Sequence, residues 1–163
     1  METVYARRLR DIKSMHKKLE EQLNLKINVK GSKVELSGDA LDEYDALRIF
    51  EAINFGFSVE KSLLLKNEDF IFKKIHIKEH TKRSLRDVKS RLIGTNGKTR
   101  KTLSDISGCE IIVGKSDVGV IGHADSVRDV EAAITSITRG SKQANMYRYL
   151  ERMNREKKKN REL

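Results

Sequence analysis

The sequence predicts an α+β protein with two tandem units, each with the order β-α-α-β-β-α, followed by a basic C-terminal helix. Three observations lead to this prediction. Apolar residues alternate in some segments, as in half-buried strands, and recur every three or four positions in others, as in helices. The two halves of the chain share one pattern at a fixed spacing, the step from Leu19 to Leu103, here called the repeat offset. Shifting the second half back by the repeat offset places its opening strand before Met1, so the first unit is predicted to be degenerate and to lack that strand.

The internal repeat keeps one register throughout its length. It begins with Leu19 opposite Leu103 and runs without a gap to Ile53 opposite Ile137. The pairs between these ends are Ile27/Ile111, Val29/Val113, Ser32/Ser116, Val34/Val118, Gly38/Gly122, Ala40/Ala124 and Asp45/Asp129. A repeat of this length indicates that both halves fold as the same supersecondary unit.

The second half supplies every element of the unit. In chain order, the pattern predicts a strand over residues 71–77, a helix over 85–93, a glycine-containing loop, a helix that ends at Gly108, strands over 109–113 and 118–121, and a last helix that Gly140 closes. Cys109, Ile111 and Val113 occupy alternate positions, as expected for a strand with one buried face. The last helix places its apolar residues at helical spacing.

The first half repeats the hairpin and the last helix of this unit. Residues 25–29 and 34–36 alternate around a turn at Gly31, and a helix is predicted from Leu41 to Ile53. The following segment, 56–69, is apolar and lacks proline, so it is predicted to pack as a connector. The predicted organisation is a degenerate first unit over 1–55, the packed connector over 56–69, a complete second unit over 70–140 and a basic C-terminal helix or tail over 141–163.

The charge of the chain indicates an anionic partner. The 163 residues include 34 basic and 24 acidic side chains, which gives a net charge of +10. Eight lysines and arginines lie between Lys82 and Lys101, where Asp87 is the only acidic residue. A nucleic acid is the simplest partner for such a distribution. A solvated basic surface is the alternative explanation of any such run.

The sequence does not have the features of a secreted or membrane protein. The N-terminal segment has no apolar core of a signal peptide, and no apolar run approaches the roughly 20 residues that span a bilayer. Cys109 is the single cysteine, which excludes a disulfide framework and fits a reducing compartment. A cytoplasmic protein without membrane contact is therefore predicted.

Catalysis is not expected from this sequence. The histidines at positions 16, 76, 80 and 123 lack the spacing of metal ligands, and Cys109 has no base partner within sequence reach. The segment Gly94–Lys98 lacks the longer spacing and the final Ser/Thr of a Walker A motif. No enzyme activity, no metal and no cofactor is therefore predicted.

A glycine loop between two predicted helices is the candidate for nucleic-acid contact. Gly94 and Gly97 allow a sugar–phosphate backbone to approach the main chain without obstruction by a Cβ atom. The helix that begins near Lys98 directs free N–H groups and its positive dipole end at the same place. Arg91, Arg100 and Lys101 add positive charge around the loop. Two glycines at this spacing also occur in ordinary helix–turn–helix connections, which is the structural alternative.

This loop and its context resemble a type I K-homology (KH) domain, whose hallmark is I-G-x-x-G between two helices. Ile93 to Gly97 match that motif, and Thr99, Leu103, Gly108 and Ile111 fall at the family's helix and strand positions. The resemblance implies that the loop clamps the backbone of about four single-stranded nucleotides. It also implies an apolar groove for the bases, for which Ile93, Leu103, Ile111 and Val113 are candidates. Ordinary core packing is the alternative for these four residues.

The candidate RNA-binding residues combine the loop, its flanking charges and the groove. They are Arg91, Ile93, Gly94, Thr95, Asn96, Gly97, Lys98, Arg100, Lys101, Ile111 and Val113.

The chain as a whole is similar to one group of KH proteins. Its two units, the segment that begins at Phe55 and the tyrosine-bearing basic tail after Gly140 resemble the small-subunit rRNA-processing KH proteins. These are the archaeal relatives of the eukaryotic partner-of-Nob-one protein. The resemblance implies single-stranded RNA binding near the 3′ end of small-subunit rRNA during ribosome assembly. It also implies two protein partners, a PIN-domain endonuclease and the alpha subunit of translation initiation factor two.

A second function of a different class stays open. The chain could be a protein-interaction adaptor that holds an rRNA endonuclease or an initiation-factor subunit, with RNA binding secondary.

The first unit departs from the KH pattern at its loop. Shifting the second GxxG motif back by the repeat offset leads to Arg10-Asp11-Ile12-Lys13, which contains no glycine. Without glycines and with an acidic residue, this loop cannot offer the same backbone to a phosphate. The same shift places the opening strand before Met1, which leaves a native loss and a shortened chain as the two explanations. The first unit is therefore predicted to serve in packing or protein contact.

The C-terminal tail is predicted to begin as a helix. Tyr147, Leu150 and Met153 recur at helical spacing on one side. The like charges over Lys157–Arg161 repel one another, so the helix is predicted to fray there.

Overall fold

Each half of the chain builds a three-stranded sheet with helices packed against it, in a computed structural model that describes residues 1–162. The first unit comprises Met1–Phe72. Its elements are β1 (Glu2–Tyr5), α1 (Leu9–Ser14), α2 (His16–Leu23), β2 (Lys26–Lys30), β3 (Lys33–Ser37), α3 (Ala40–Phe55) and α4 (Val59–Ser62), followed by a 3-10 turn (Leu63–Lys66). The sheet order is β1-β3-β2, and both pairings are antiparallel.

The second unit begins at Lys73 and has the same order of elements. They are β4 (Phe70–His76), which starts in the last residues of the first unit, α5 (Leu85–Ile93), a 3-10 turn (Thr95–Gly97), α6 (Lys98–Ser107), β5 (Glu110–Val113), β6 (Asp117–His123), α7 (Ala124–Thr138) and α8 (Gln143–Glu162). The sheet order β4-β6-β5 repeats the order of the first sheet. The predicted α+β class with two tandem units is confirmed.

The repeated apolar positions form the core of each unit. In the first unit Leu19 and Val34 are fully buried, as are Ile49, Phe50 and Ile53 on the inner side of α3. In the second unit the buried residues include Leu103, Val118, Val120, Val130 and Ile137. Burial of each such side chain contributes about 1.5–3 kcal/mol relative to exposure. The fixed spacing in the sequence thus reflects equivalent buried positions in the two units.

The prediction that the first unit lacks its opening strand is wrong. β1 pairs antiparallel with β3, from Glu2 opposite Leu36 to Tyr5 opposite Lys33. The side chain of Asn54 fixes the end of this strand, because its Nδ2 donates to Tyr5 O at 2.7 Å and its Oδ1 accepts from Arg7 N at 3.0 Å. The repeat offset misplaced this strand before Met1, and its four residues, none of them fully buried, give no burial pattern that would have corrected the error.

The repeat offset also fails for the first helices. Residues 10–13, which the sequence analysis equated with the glycine loop, lie inside α1, and the side chain of Ile12 is fully buried. Only Met15 separates α1 from α2, and backbone bonds from Met15 N to Asp11 O and from Leu19 N to Met15 O continue the helical pattern across it. The first unit therefore has a bend where the second unit has the loop Gly94–Gly97.

The apolar segment after α3 packs within the first unit. Phe57, Val59 and Leu65 are buried, and the rings of Phe55, Phe57 and Phe72 contact one another with centroids 5.8–6.1 Å apart. The guanidinium of Arg8 holds the end of α3 to α1, because it donates to Gly56 O at 2.6 Å and to Phe57 O at 3.2 Å. The structure thus places residues 56–69 inside the first unit.

The predicted fraying of the tail is wrong for the residues described. α8 continues to Glu162, and Leu163 lies outside the described residues. Leu150 is buried, as its spacing with Tyr147 and Met153 requires, and the Asn154 side chain donates to Ile106 O at 2.7 Å. Lys157, inside the predicted frayed segment, forms an ion pair with Asp129 of α7, and both side chains are largely covered. This pair holds the last turns of the helix in place.

Deleting residues 156–163 should destabilise the second unit. The deletion removes Lys157 and leaves the carboxylate of Asp129, which is 14% exposed, without its partner. Loss of a partner for a covered charge costs about 1–3 kcal/mol. Chemical denaturation followed by circular dichroism measures this change. The exposed pair Lys158→Gln/Lys159→Gln serves as the control and should change stability by less than about 0.5 kcal/mol. An unchanged midpoint for the deletion would contradict the role of the pair.

One cysteine lies in the core of the second unit. Cys109 precedes β5 and is 1% exposed. Its Sγ packs so closely over Gly122 that a Cβ at position 122 would lie 2.6 Å from the sulfur. Strand β6 therefore needs a glycine at this position because the thiol occupies the space above it.

Among residues 1–162 no helix is long and apolar enough to cross a membrane. The same residues contain no group of three or more side chains that could together hold a metal ion.

Candidate nucleic-acid interface

The two units differ sharply in charge. Residues 1–72 carry 12 basic and 13 acidic side chains, a net charge of −1. Residues 73–163 carry 22 basic and 11 acidic side chains, a net charge of +11. The net positive charge of the protein thus belongs entirely to the unit that contains the glycine loop. A surface with this excess of positive charge attracts polyanions and raises their rate of association.

The loop between α5 and α6 has an uncommon backbone conformation. Gly94, Asn96 and Gly97 have φ values of 76°, 55° and 76°. Asparagine is among the few residues with a side chain that enter this region at low cost. Gly94 N donates to Ser90 O at 2.9 Å and Gly97 N donates to Gly94 O at 3.2 Å, so the main chain closes into a tight turn. The turn leads directly into α6, whose first N–H groups lack intrahelical partners.

The two glycines are required for different reasons. A Cβ on Gly94 would lie 2.3 Å from Thr99 Oγ1 and 2.7 Å from Thr99 N. A Cβ on Gly97 would meet no atom within 4 Å. Position 94 is therefore constrained by contact as well as by φ, whereas position 97 is constrained by φ alone.

Gly94→Ala should destabilise the second unit more than Gly97→Ala. The Gly97 variant has to place alanine in the left-handed region, which costs about 1–2 kcal/mol. The Gly94 variant has to place alanine at φ 76° and ψ 176°, a region that is open essentially to glycine alone, and must also displace the first turn of α6. Denaturation midpoints of the two variants measure the difference. Equal midpoints would contradict the packing of Thr99 beneath Gly94.

Thr99 has a structural role beside the loop that its position in the sequence did not reveal. It is 6% exposed and lies against Gly94, so it sets how closely the loop folds back on α6. The signal in the sequence was weak, because a hydroxyl two residues after a glycine can equally well be exposed. A small β-branched side chain fills the space that a glycine leaves open.

The charged candidates divide into exposed and internal groups. Lys98 and Lys101 are exposed on the first turns of α6. Their ammonium groups form no hydrogen bond or ion pair with the described residues, so they can contact an anion. Arg100 is partly covered, and its Nη1 donates to Ile111 O at 3.4 Å. This bond connects α6 with β5, beside the candidate groove. Arg100 therefore holds α6 against β5 with one of its N–H donors, and its side chain is partly covered there.

The side chain of Arg91 is hydrogen-bonded within the second unit. Its Nη1 donates to Ile137 O at 3.4 Å and its Nη2 donates to Ser141 O at 2.7 Å. The guanidinium thus joins the end of α5 to the junction of α7 and α8. Its donors satisfy carbonyl groups at the end of a helix, which is a structural role.

The four candidate groove residues also divide into two kinds. Leu103 and Ile111 are 1% and 3% exposed, so both side chains belong to the core of the unit. Ile93, the last residue of α5, and Val113, the last residue of β5, are partly exposed. Partly exposed apolar surface is therefore present at Ile93 and Val113, whereas Ile111 is covered.

Comparison with known proteins supports this description of the second unit. The family model for the second KH domain of PNO1, a eukaryotic-type KH domain (KH-domain type I), matches residues 70–155. A KH domain-containing protein of Methanocaldococcus jannaschii is 28% identical over 147 residues, which cover 85% of this chain and 65% of the relative. The RNA-binding protein pno1 of Drosophila pseudoobscura pseudoobscura is 24% identical over 139 residues, which cover 77% of this chain and 57% of the relative. The chain thus spans about three fifths of the length of these curated relatives.

Solved structures resemble almost the whole chain. Dim2p from Pyrococcus horikoshii matches with a TM-score of 0.79 and 29% identity, covering 93% of this chain and 98% of its own. A protein of unknown function from Aeropyrum pernix matches with a TM-score of 0.85 and 25% identity over 99% and 94%. A crystal structure of the a/eIF2alpha–aDim2p–rRNA complex from Pyrococcus horikoshii matches with a TM-score of 0.82 and 28% identity over 95% and 94%. Because the KH-domain model covers more than half of its residues, this chain belongs to the PNO1 family of type I KH-domain proteins.

Proposed function

We propose that this protein binds single-stranded RNA at the loop Gly94–Gly97 and acts as an assembly factor of the small ribosomal subunit. The observation that carries the proposal is the loop itself, a glycine turn with three positive φ values at the start of α6. It lies in the unit that holds the whole net positive charge of the chain. A loop of this kind in KH domains holds the backbone of about four nucleotides.

The loop and its neighbours have separate roles in this proposal. The backbone of Thr95 and Asn96 approaches one phosphate, and Lys98 and Lys101 neutralise it and the next. Ile93 and Val113 contact the bases, which the loop holds against the groove between α5 and β5. Arg100 fixes the groove wall through Ile111 O. This is recognition without a reaction, so no catalytic residue is assigned.

The target and partners of the proposal come from the relatives. One structural neighbour was solved as a complex of a/eIF2alpha, aDim2p and rRNA, which supports RNA and an initiation-factor alpha subunit as partners. The resemblance to rRNA-processing KH proteins supports a site near the 3′ end of small-subunit rRNA and a PIN-domain endonuclease as a further partner. The protein is proposed to act in the cytoplasm.

A protein-interaction adaptor is the second candidate function, and the first unit favours it. That unit is nearly neutral and has only the bend at Met15 where the second unit has its loop. Leu41 and Tyr44, one turn apart on α3, are 71% and 62% exposed. Large apolar side chains exposed together on one helix fit a protein partner better than a phosphate backbone.

The salt dependence of RNA binding tests the first function. Each phosphate contact on single-stranded RNA lowers the logarithm of the association constant by roughly 0.7 per unit of log salt. Contacts from Lys98, Lys101 and Arg100 should therefore contribute roughly −2 to the slope, measured by fluorescence anisotropy with an oligonucleotide of the small-subunit rRNA 3′ end. Lys98→Gln/Lys101→Gln should reduce the slope by roughly 1.4. A flat dependence between low and physiological salt would count decisively against the proposal.

A matched control exists in the first unit. Lys17 is the counterpart of Lys101 at the repeat offset, and Lys17 and Lys18 are both exposed on α2. Lys17→Gln/Lys18→Gln removes the same charge from the protein and should leave the slope close to that of the wild type. An equal loss of slope in both variants would show that RNA responds only to net charge.

A further inference from the structure

Helix α8 carries a hollow lined by arginine and aromatic side chains. Its lining residues are Asn145, Met146, Arg148, Tyr149, Arg152 and Arg155. The three arginines stand at positions i, i+4 and i+7, so they lie on one side of the helix within about 10 Å along its axis. The guanidinium carbon of Arg152 lies 5.8 Å from the centroid of the Tyr149 ring.

The arginines of the hollow have no acidic partner among residues 1–162. All three arginine side chains are exposed. Among residues 1–162, the ion pair that α8 forms joins Lys157 to Asp129, on the side of the helix opposite the arginines. Arg148 Nη2 donates to Asn145 Oδ1, which orients the first guanidinium at the rim of the hollow. Glu151 and Glu156 neighbour these arginines on the helix without forming an ion pair to them, so the guanidinium groups stay available to an external anion.

The opposite side of α8 is fixed to the body of the second unit. Leu150 is 1% exposed, and Asn154 donates to Ile106 O at 2.7 Å. At the start of the helix, Gln143 Nε2 donates to Arg91 O at 3.5 Å. The hollow is therefore held on a rigid helix whose first turn is attached to the end of α5.

We infer that this hollow is a second RNA-binding site, in which Arg148, Arg152 and Arg155 hold phosphates of single-stranded RNA and Tyr149 stacks on a base. The inference rests on the proposed function, because it concerns the same RNA beyond the nucleotides that the glycine loop holds. Guanidinium groups donate to phosphate oxygens in pairs, which lysine cannot do. An aromatic ring beside them matches the combination that binds single strands without sequence preference.

The position of the hollow suits one strand that also occupies the loop. From Arg91 to Gly94 the chain spans at most about 11 Å. From Gln143 to Arg148 the helix rises about 7.5 Å. Since Gln143 is hydrogen-bonded to Arg91, the hollow and the loop lie within reach of one short strand. A tetranucleotide fills the loop alone, whereas a longer strand extends onto α8.

The test compares two RNA lengths and two variants with equal charge. The probes are labelled RNA pools of random sequence, 4 and 16 nucleotides long. Arg148→Gln/Arg152→Gln/Arg155→Gln empties the hollow, and Lys158→Gln/Lys159→Gln/Arg161→Gln removes three exposed charges from the same helix outside it. The hollow variant should bind the 16-mer pool with a salt slope smaller by roughly 2, while the control variant keeps most of the wild-type slope. Both variants should bind the tetramer pool nearly as well as the wild type.

Tyr149 provides a separate readout. Tyr149→Leu should weaken binding of the 16-mer pool about tenfold, and Tyr149→Phe should not, because phenylalanine keeps the stacking face. Binding of an abasic 16-mer should be the same for both variants.

The outcomes separate this inference from the proposed function. Equal losses in the hollow and control variants, or an unchanged 16-mer slope in the hollow variant, would overturn the second site alone. Loss of binding to polyaspartate with RNA binding unchanged would assign the hollow to an acidic protein partner and overturn it as well. Failure of the wild type to bind either pool would overturn both the proposed function and this inference.

Discussion

Thr95→Asp/Asn96→Asp should weaken RNA binding at least about thirtyfold while the protein stays folded. The substitution places two negative charges in the loop that is proposed to hold a phosphate. Two like charges 4 Å apart repel by about 1 kcal/mol in water and by about 4 kcal/mol near a protein surface. Two such pairs therefore amount to at least about 2 kcal/mol, and each 1.36 kcal/mol is a tenfold change in affinity. Anisotropy titration with single-stranded RNA measures the loss.

The fold should tolerate this double substitution. Thr95 and Asn96 are exposed, and aspartate tolerates the left-handed backbone at position 96 nearly as well as asparagine does. Both positions also precede α6, where negative charge is favourable for a helix. Thermal unfolding should therefore change little.

A control with the same added charge lies in the first unit. Ser14 and Ser32 are both exposed, at the end of α1 and in the turn between β2 and β3. Ser14→Asp/Ser32→Asp lowers the net charge by the same amount and should leave RNA affinity within a factor of a few. Abolished binding in this control, with wild-type affinity in the loop variant, would show that the working surface belongs to the first unit.

Ile12→Asp should unfold the first unit. Ile12 is fully buried in α1, and a carboxylate at this position would have neither water nor a cationic partner. Burial of an unpaired charge together with the loss of a core side chain costs more than about 4 kcal/mol, which is a large part of the stability of a domain. Circular dichroism and chemical denaturation should show an early transition or none.

Two neighbouring variants define the effect of Ile12→Asp. Lys13→Asp changes an exposed residue of the same helix and should shift stability by less than about 1 kcal/mol. Ile12→Val keeps the position apolar and should cost about 1 kcal/mol. Wild-type stability of the Ile12→Asp protein would place this residue in an exposed loop and restore the alignment predicted from the repeat offset.

The repeat offset predicts the fold well wherever core contacts fix the spacing. Between Leu19 and Ile53 an insertion within an element would move its core residues out of register, and the equivalent positions from Leu103 to Ile137 keep the same spacing. Ahead of α2 the spacing depends on connections, which tolerate insertions. The second unit has Gly94–Gly97 between α5 and α6, whereas the first has Met15 alone between α1 and α2. A rule that holds for the core therefore misplaced the first loop and the first strand.

The backbone conformation of the candidate site was predictable from the sequence, whereas the contacts of its side chains were less so. Gly94 and Gly97 are recognisable from sequence because few other residues accept their φ values. The roles of Arg91 and Ile111 were not, because a guanidinium binds carbonyl oxygens and phosphates with the same donors and a strand residue next to a groove can face either way. The role of Lys157 was not predictable either. It lies in a run of like charges, and the sequence does not show that Asp129 pairs with this one lysine.

The buried thiol of Cys109 can report local unfolding of the second unit. It is the single cysteine in the sequence, so an alkylating reagent can label the protein at one atom without any mutation. Burial raises the pKa of the Cys109 thiol, and the folded protein therefore holds less of the reactive thiolate. Labelling then proceeds through molecules in which β5 has separated from Gly122, and its rate measures how often that happens. RNA held at the loop would slow the labelling in proportion to the stability it adds to this unit.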